Sequence, residues 1–272
     1  MSRVVDSEEY KVLAKDVLTY VDEICRKNGI VYYLAYGTLL GAVRHQGFIP
    51  WDDDVDIIMD RDNFERFITC SRNADHPFYK LMWLTEQSDF DLPLPKVVDT
   101  RTELKQAGRR SDLCLGAWVD ILIIDDVPDD PAKQKKALKE FDLYEKFWSW
   151  SQYSALTVKS ASSVRSFVVS VICRIMSLPG SRFWSKKLYK WSARYNGKGY
   201  GSFSALTFSA GKRRAYRKEW LGNGSELLFE GKLYMAPENW DAYLTNTYGD
   251  YMQLPPKDKQ VSNHNFTVYY KD

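Results

Sequence analysis

Residues 52–59 read DDDVDIIM and place four carboxylates, Asp52, Asp53, Asp54 and Asp56, directly before an apolar β-branched run. The run predicts a strand over 55–59, in which Asp56 alternates with apolar neighbours. Asp54 and Asp56 stand two positions apart and therefore project to the same side. This pattern constrains the chain more than any other, because like charges crowded beside a buried strand repel one another unless a ligand relieves them.

The elements around this strand are predicted from periodicity and end signals. A helix is predicted over 6–28, with Asp6 as its N-cap and Gly29 as its stop. A strand that begins at Ile30 is expected to end at a Gly37-Thr38 turn, and a short helix follows. Further helices are predicted over 61–71 and 130–150, further strands over 79–84, 95–98 and 117–124, and mostly helix over 151–220.

Two carboxylates on one side of a strand are suited to a hard divalent ion, Mg²⁺ or Mn²⁺. Such an ion would neutralise the phosphates of a nucleotide during phosphoryl displacement. A Gly37-Thr38 turn would bring backbone and a hydroxyl close to a phosphate oxygen. Asp120, an isolated acid in an apolar strand, is the candidate for a third ligand or a general base. The alternatives are a solvent-facing Asp120 and an acidic loop that merely precedes a strand.

The spacing of Gly37-Thr38, Asp54-x-Asp56 and Asp120 resembles that of the nucleotidyltransferase fold. The longer string YGTLLGAVRHQGFIPWDDDVDIIM at 36–59 resembles the LicD family, phosphocholine transferases related to fukutin. Later blocks at 94–104, 116–130 and 234–266 resemble the family's later blocks in the expected order. One departure is Leu122-Ile123, where many relatives have Phe-Pro.

The resemblance implies an α+β fold with a nucleotidyltransferase-like mixed β-sheet core flanked by helices. It implies transfer of a phospho-alcohol, typically phosphocholine from CDP-choline, to a hydroxyl of a cell-surface glycan or its lipid-linked precursor, with release of CMP. Teichoic acid and lipopolysaccharide are such glycans. We expect a catalytic core at 1–130, a basic, mostly helical acceptor-binding region at 131–220, and a segment at 221–272 that completes the core.

The resemblance also assigns expected roles to individual residues. Metal binding and catalysis are expected of Asp54, Asp56 and Asp120. Substrate binding is expected of Gly37, Thr38, Arg44, Asp52, Lys96 and His264, with Arg44 or Lys96 steadying the leaving CMP and His264 closing over the site. A trimethylammonium group needs an aromatic cage, for which Tyr36, Trp51, Trp83, Trp118, Tyr248 and Tyr251 are all candidates. The sequence does not choose between CDP-choline and a polyol donor such as CDP-ribitol or CDP-glycerol.

Charge is distributed unevenly along the chain. The segment from Lys133 to Glu219 has 19 Lys and Arg against 4 Asp and Glu, although the net charge of the chain is only +2. This segment is either a solvated face or a surface for a polyanionic or phospholipid-linked acceptor. The apolar run at 166–178 is too short to span a bilayer, and it predicts a buried helix or a helix lying in a membrane interface. No nucleic-acid recognition motif is found, so nucleic acid is not expected as a partner.

The four cysteines form no Cys-x-x-Cys pattern, and the first 25 residues lack an apolar signal-peptide core. We therefore expect free thiols and a cytoplasmic protein, with peripheral contact to the inner face of the membrane left open. Three other functions remain open. They are a nucleotidyltransferase that uses an NTP and releases pyrophosphate, a glycosyltransferase with an Asp-x-Asp site, and a non-catalytic glycan- or membrane-binding module.

Overall fold

The structure is a computed structural model, and it describes residues 3–106, 115–152, 163–205, 214–261 and 266–271. The chain forms two compact units. Unit 1 consists of Met1–Met82, Pro95–Ile124 and Tyr216–Asp272, and unit 2 consists of Trp83–Leu94 and Asp125–Ala215. The predicted division into a catalytic core at 1–130, a basic region at 131–220 and a completing segment at 221–272 stays a prediction.

Unit 1 contains the helices α1 (Ser7–Asn28), α2 (Tyr36–His45), α3 (Arg61–Ala74) and α7 (Trp240–Tyr248). Its first strands are β1 (Val4–Val5), β2 (Tyr33–Leu34), β3 (Asp56–Asp60), β4 (Tyr79–Met82), β5 (Lys96–Asp99), β6 (Thr102–Gln106) and β7 (Ala117–Val127), the last of which runs on into unit 2. Its later strands are β9 (Tyr216–Arg217), β10 (Ser225–Phe229), β11 (Lys232–Ala236) and β12 (Phe266–Tyr270). Short 3₁₀ helices lie at Lys218–Trp220 and Lys257–Lys259.

The main sheet of unit 1 is mixed. Its strand order is β2-β3-β7-β5-β4, with β3 and β7 parallel and the other pairs antiparallel. Strands β1, β12 and β6 form a second, antiparallel sheet, and β10 pairs with β11 as a hairpin. This helix-flanked mixed sheet confirms the predicted α+β class. The parallel pair β3/β7 matters for function, because it sets the first residue of β3 beside an acid of β7.

Helix α1 follows its sequence signals closely. The Asp6 carboxylate accepts a hydrogen bond from the Glu9 amide at 2.8 Å, and Gly29 ends the helix in the left-handed region at φ 60°. The face that carries Leu13, Val17 and Val21 is buried against the core, as the helical spacing predicts.

The predicted strand from Ile30 was wrong in its extent. Only Tyr33–Leu34 is strand, and helix α2 begins at Tyr36, so Gly37 and Thr38 lie in the first turn of a helix rather than in a turn that ends a strand. Tyr36 enters the helix with a positive φ of 45°, which is rare for a residue with a side chain. Tertiary packing therefore decides this boundary, because the apolar run itself is compatible with either element.

Unit 2 contains the helices α4 (Pro131–Gln152), α5 (Ser163–Ser177) and α6 (Ser181–Ser192), the strand β8 (Ser202–Ala205) and a 3₁₀ turn at Ala193–Tyr195. The segment 83–94 lies within this helical group. The Arg182 guanidinium donates to the carbonyls of Leu84 (2.5 Å), Gln87 (2.6 Å) and Phe90 (2.8 Å). The Trp148 indole donates to the Asp91 carbonyl at 2.8 Å. Side chains of α4 and α6 thus satisfy backbone groups of a segment that has no regular structure.

Among the described residues, every helix is too short or too polar to cross a bilayer. Cys25, Cys70 and Cys173 are free thiols, which agrees with the expectation from spacing, and Cys114 lies outside the described residues.

Candidate active site

The backbone of the acidic motif is held by Thr38. The Thr38 hydroxyl accepts a hydrogen bond from the Asp56 amide at 2.8 Å and donates to the Asp54 carbonyl at 3.4 Å. Only 2 % of Thr38 is exposed. The hydroxyl thus links α2 to the start of β3 and holds the backbone from which the Asp54 and Asp56 side chains project. The predicted contact of Thr38 with phosphate stays a prediction, since its hydroxyl forms hydrogen bonds with the backbone of Asp54 and Asp56 in this structure.

Gly37 allows a carboxylate to reach the first turn of α2. A Cβ built on Gly37 would lie 2.5 Å from the Asp52 Oδ2 atom, a distance that no side chain tolerates. The absence of a side chain therefore leaves room for the Asp52 carboxylate, which also accepts from the Asp53 amide at 3.2 Å. The amides at the start of a helix carry a partial positive charge that favours an anion there.

Asp56 and Asp120 are direct neighbours across the parallel strands β3 and β7. Burial raises the pKa of Asp56 well above its usual range, and the charges of Asp54, Asp120 and Asp52 raise it further. The positive charge of Lys96 opposes this rise. We call Asp52, Asp54, Asp56 and Asp120 the acidic cluster. The structure thus brings the predicted acids together, and burial and their mutual repulsion both make the charged form of Asp56 less favourable.

Asp120 is buried and hydrogen-bonded through both oxygens. Its Oδ1 forms an ion pair with the Lys96 ammonium, and its Oδ2 accepts from the Trp118 indole N–H at 3.0 Å. Lys96 faces Asp120 across the antiparallel pair β5/β7, and its Nζ lies 4.4 Å from the Trp118 ring centroid. Burial raises the pKa of Asp120, Lys96 lowers it, and Asp54 raises it again, with a raised pKa as the outcome. The predicted solvent-facing alternative for Asp120 is wrong, because only 7 % of this residue is exposed.

Arg44 lies two helical turns beyond Gly37, at the other end of α2. Its Nη1 donates to the Tyr251 carbonyl at 2.9 Å, and burial lowers the pKa of its guanidinium. The Tyr248 phenol interacts electrostatically with both Arg44 and the acidic cluster. Burial raises the pKa of the Tyr248 phenol, and the charges of Asp56 and Asp52 raise it further, while Arg44 lowers it. The Tyr248 hydroxyl thus senses both groups, although the residue as a whole is 46 % exposed.

Tyr10 was missed by the sequence reasoning. It occupies one helical position on α1 that resembles an ordinary core aromatic, yet burial and the charges of Asp54 and Asp53 raise the pKa of its phenol. Its ring packs edge-on against Trp118, with the centroids 6.0 Å apart, and against Phe266 at 5.5 Å. No local signal distinguishes Tyr10 from its neighbours on the helix, because its position beside the acids depends on how α1 packs on the sheet.

The aromatic candidates for a cage separate into distinct environments. Tyr36 packs with Tyr216 and Tyr243, whose rings stack at 4.5 Å, and Asp56 contributes to the raised pKa of Tyr36 after burial. Trp118 lies against Lys96, while Trp83 is buried within unit 2 at 1 % exposure. The Tyr251 hydroxyl donates to Asp241. Of these candidates, Tyr248 combines an accessible residue with the vicinity of the acidic cluster.

The carboxylates suit a hard cation in their chemistry, although the described residues do not contain a preformed metal site. Within the described ranges, no three or more His, Cys, Asp or Glu residues are arranged as a set of metal ligands. The crowding that raises the pKa of Asp56 is the condition that a divalent ion would relieve. His264, expected to close over the site, lies outside the described residues.

A mixed sheet with carboxylates on two adjacent parallel strands, next to the first turn of a helix, agrees with the nucleotidyltransferase-like fold that the resemblance implies. Comparison with known families agrees. The family described as LicD/FKTN/FKRP, nucleotidyltransferase domain, matches residues 29–94, the segment that contains α2, the acidic motif and β3. The predicted resemblance to the LicD family is confirmed.

The similarity to individual proteins extends beyond that segment. The chain is 28 % identical over 268 residues to the lipopolysaccharide cholinephosphotransferase LicD of Haemophilus influenzae, an alignment that covers 94 % of this chain and 95 % of the relative. It is 47 % identical over 56 residues to an uncharacterized protein of Rickettsia prowazekii, covering 18 % of this chain and 21 % of that protein. A protein of Rickettsia typhi, also uncharacterized, is 49 % identical over 51 residues, covering 19 % of this chain and 16 % of that protein.

Proposed function

We propose that the protein transfers phosphocholine from CDP-choline to a hydroxyl of a cell-surface glycan or its lipid-linked precursor, releasing CMP, in a metal-dependent reaction. The observation that carries the proposal is the acidic cluster, in which burial and the charges of Asp54, Asp120 and Asp52 raise the pKa of Asp56. Such crowding of like charges suits a divalent ion bound together with a diphosphate. The similarity to a cholinephosphotransferase over nearly the whole chain supports phosphocholine as the transferred group.

The proposed roles follow the geometry. Asp54 and Asp56 are the residues to hold Mg²⁺ or Mn²⁺, which when bound supplies neutralisation of the diphosphate charge. Asp120, whose pKa is raised by burial, accepts the proton of the acceptor hydroxyl. The hydroxyl oxygen then bonds to the phosphorus of phosphocholine, and the bond from that phosphorus to the bridging oxygen breaks, so that the electron pair leaves with CMP. Lys96 holds the Asp120 carboxylate in place through this exchange.

Tyr248 is the proposed contact for the choline group. A trimethylammonium cation is attracted to the face of an aromatic ring, by about 0.5–2 kcal/mol for one ring. Tyr248 is 46 % exposed, and the charge of Asp56 contributes to the raised pKa of its phenol, so we take its ring as accessible where the donor would bind. Replacement by leucine should raise the KM for CDP-choline, and replacement by phenylalanine should restore it, because the phenol oxygen takes no part in this contact.

The proposed acceptor is a glycan of the lipopolysaccharide type, supported by the similarity to the lipopolysaccharide cholinephosphotransferase of Haemophilus influenzae. The donor CDP-choline would make the reaction cytoplasmic. Teichoic acid as acceptor, and CDP-ribitol or CDP-glycerol as donor, stay predictions from the resemblance.

The test is product analysis with the purified protein. It is incubated with CDP-choline, a glycolipid extract and either Mg²⁺, Mn²⁺ or EDTA, and the nucleotide products are resolved by chromatography. CMP is expected only with a divalent ion, together with phosphocholine on the extract. Asp54→Asn should give no CMP, and Asp62→Asn, an exposed acid in the first turn of α3, should behave as the wild type.

Three further donors separate the alternatives. CMP formed from CDP-ribitol or CDP-glycerol but not from CDP-choline would replace the donor and keep the reaction. Pyrophosphate released from an NTP would overturn the proposal in favour of a nucleotidyltransferase. Full activity in EDTA with unchanged activity of Asp54→Asn would contradict the role given to the acidic cluster.

A further inference from the structure

Helix α5 of unit 2 exposes an apolar stripe. Val168, Val171, Ile175 and Leu178 are 50 %, 40 %, 53 % and 80 % exposed, and they recur at spacings of three and four residues along one side of the helix and its end. Cys173, on the other side, is 1 % exposed and faces α4 and its neighbours. Helix α5 therefore differs from an ordinary amphipathic helix, because it has apolar side chains both towards the unit and towards solvent.

Helix α6 contacts the end of α5, where the Trp184 indole donates to the Met176 carbonyl at 2.7 Å, and α6 carries exposed basic residues. Arg174 borders the stripe on α5, and Lys186, Lys187 and Lys190 are exposed on α6. Phe183 is 40 % exposed, and the Lys187 ammonium lies 5.5 Å from the centroid of its ring. Residues 146–218 contain 15 Lys and Arg and neither Asp nor Glu. An apolar stripe thus lies within a segment that has one sign of charge.

We propose that this α5–α6 surface binds an anionic lipid bilayer, with the stripe of α5 inserted at the level of the headgroups. Exposed apolar side chains flanked by lysine and arginine are the pattern of a helix that lies in a membrane interface, where apolar burial and attraction to anionic lipids add together. A second copy of the chain is a poor occupant, because it would bring two basic surfaces together without an acidic residue between them. The inference does not rest on the proposed enzymatic activity.

Flotation of the purified full chain with lipid vesicles tests the proposal. The probes are vesicles of phosphatidylcholine alone and of phosphatidylcholine mixed with phosphatidylglycerol. We expect binding to the mixed vesicles, with affinity lower by about tenfold or more on the neutral ones, because several basic side chains each contribute to attraction. High salt should reduce binding without abolishing it, since apolar insertion is insensitive to screening.

Two triple variants separate insertion from charge. Val171→Gln with Ile175→Gln and Leu178→Gln should lower binding by about tenfold or more, because three inserted side chains are lost. Its matched control is Val12→Gln with Leu228→Gln and Leu233→Gln, three apolar residues of unit 1 that are 52 %, 37 % and 49 % exposed. Lys186→Gln with Lys187→Gln and Lys190→Gln should lower binding to the mixed vesicles only. Its control is Lys80→Gln with Lys257→Gln and Lys259→Gln, three exposed lysines of unit 1.

The proposal is overturned by any of three results. Lack of binding to the mixed vesicles would remove the bilayer as the occupant. Equal losses in the stripe variant and in its control would show that the effect is not specific to α5. Self-association in sedimentation velocity that the stripe variant abolishes, without vesicle binding by the wild type, would identify a second copy as the occupant. Circular dichroism spectra that match the wild type confirm that each variant is folded.

Discussion

Asp22 and the acidic cluster are two groups of carboxylates in unit 1 with different surroundings. Asp22 on α1 is fully buried, yet the Arg26 guanidinium (2.7 Å), the Tyr32 hydroxyl (2.7 Å) and the Lys232 ammonium (2.9 Å) all reach it. In the acidic cluster, by contrast, burial and the charges of Asp54, Asp120 and Asp52 raise the pKa of Asp56, and the positive charge of Lys96 opposes this rise.

The difference separates a structural acid from a functional one. A buried charge that its own chain neutralises contributes to one defined packing arrangement. Carboxylates that raise one another's pKa make the charged form less favourable until a ligand binds, and such groups are typical of active sites. Substitutions in the two groups should therefore have different effects, on activity in the acidic cluster and on stability at Asp22.

Asp56→Asn should lower the rate of transfer by about a thousandfold or more, because the neutral amide cannot serve as an anionic ligand for the metal that neutralises the diphosphate. The protein should remain folded and gain stability in the absence of metal, since one like charge leaves the acidic cluster. Activity assays and urea unfolding in EDTA measure the two effects. A variant that fails to fold would indicate a structural role for Asp56 and contradict the difference drawn between Asp22 and the acidic cluster.

The same variant has a defined pH dependence. The folded-state pKa of Asp56 is raised above its usual value of 3.8, so the folded protein binds this proton more tightly than the unfolded chain does. The associated stabilisation is complete below pH 3.8 and is lost as the pH rises through the raised pKa. The wild type without metal should therefore lose stability relative to Asp56→Asn as the pH rises, and Mg²⁺ should reduce the difference. A difference that is constant with pH would contradict the assignment.

Asp22→Asn should act on stability rather than on chemistry. Loss of the charge removes one partner of Arg26, which keeps its ion pair with Glu226, and the ion pair of Lys232. Both cations keep access to water, so we expect a loss of roughly 2 kcal/mol in the free energy of unfolding. The activity per folded molecule should equal that of the wild type. Loss of activity without loss of stability would show that the two places do not differ as we describe.

Lys96→Met should lower kcat by about a hundredfold, because Asp120 loses its ion pair within a buried site. The pKa of Asp120 should rise further, which moves the acidic limb of the pH–rate profile to higher pH. An unchanged KM for CDP-choline would indicate that Lys96 acts through Asp120, and a raised KM would instead support the predicted contact with CMP. Lys80→Met, at an exposed lysine of β4, is the matched control.

Gly37→Ala should have the smallest effect, a decrease of about tenfold in kcat/KM. The added methyl group would lie 2.5 Å from Asp52 Oδ2, so the carboxylate must move away from the first turn of α2. Gly201→Ala, where the nearest atom is at 3.7 Å, serves as the control. Wild-type activity of Gly37→Ala would show that the position of Asp52 is not critical.

Much of the fold was predictable from short-range signals. The Asp6 and Asp60 caps, the Gly29 stop and the apolar alternation of β3 are local features, and the structure confirms the elements they indicate. The boundary near Tyr36 was not predictable, because the apolar residues 30–36 suit a strand while the chain turns into a helix through a positive φ at Tyr36.

The identity of the acids, their spacing in the motif and the resemblance that indicates their chemistry can be read from the chain alone, because a period of two residues and a long motif need no tertiary contact. The pairing of Asp120 with Asp56, the ion pair of Lys96 with Asp120, and the influence of the acidic cluster on the pKa of Tyr10 and Tyr248 follow only from the tertiary structure. These pairings join residues far apart in the chain. They depend on strand register and helix packing, which no local pattern encodes.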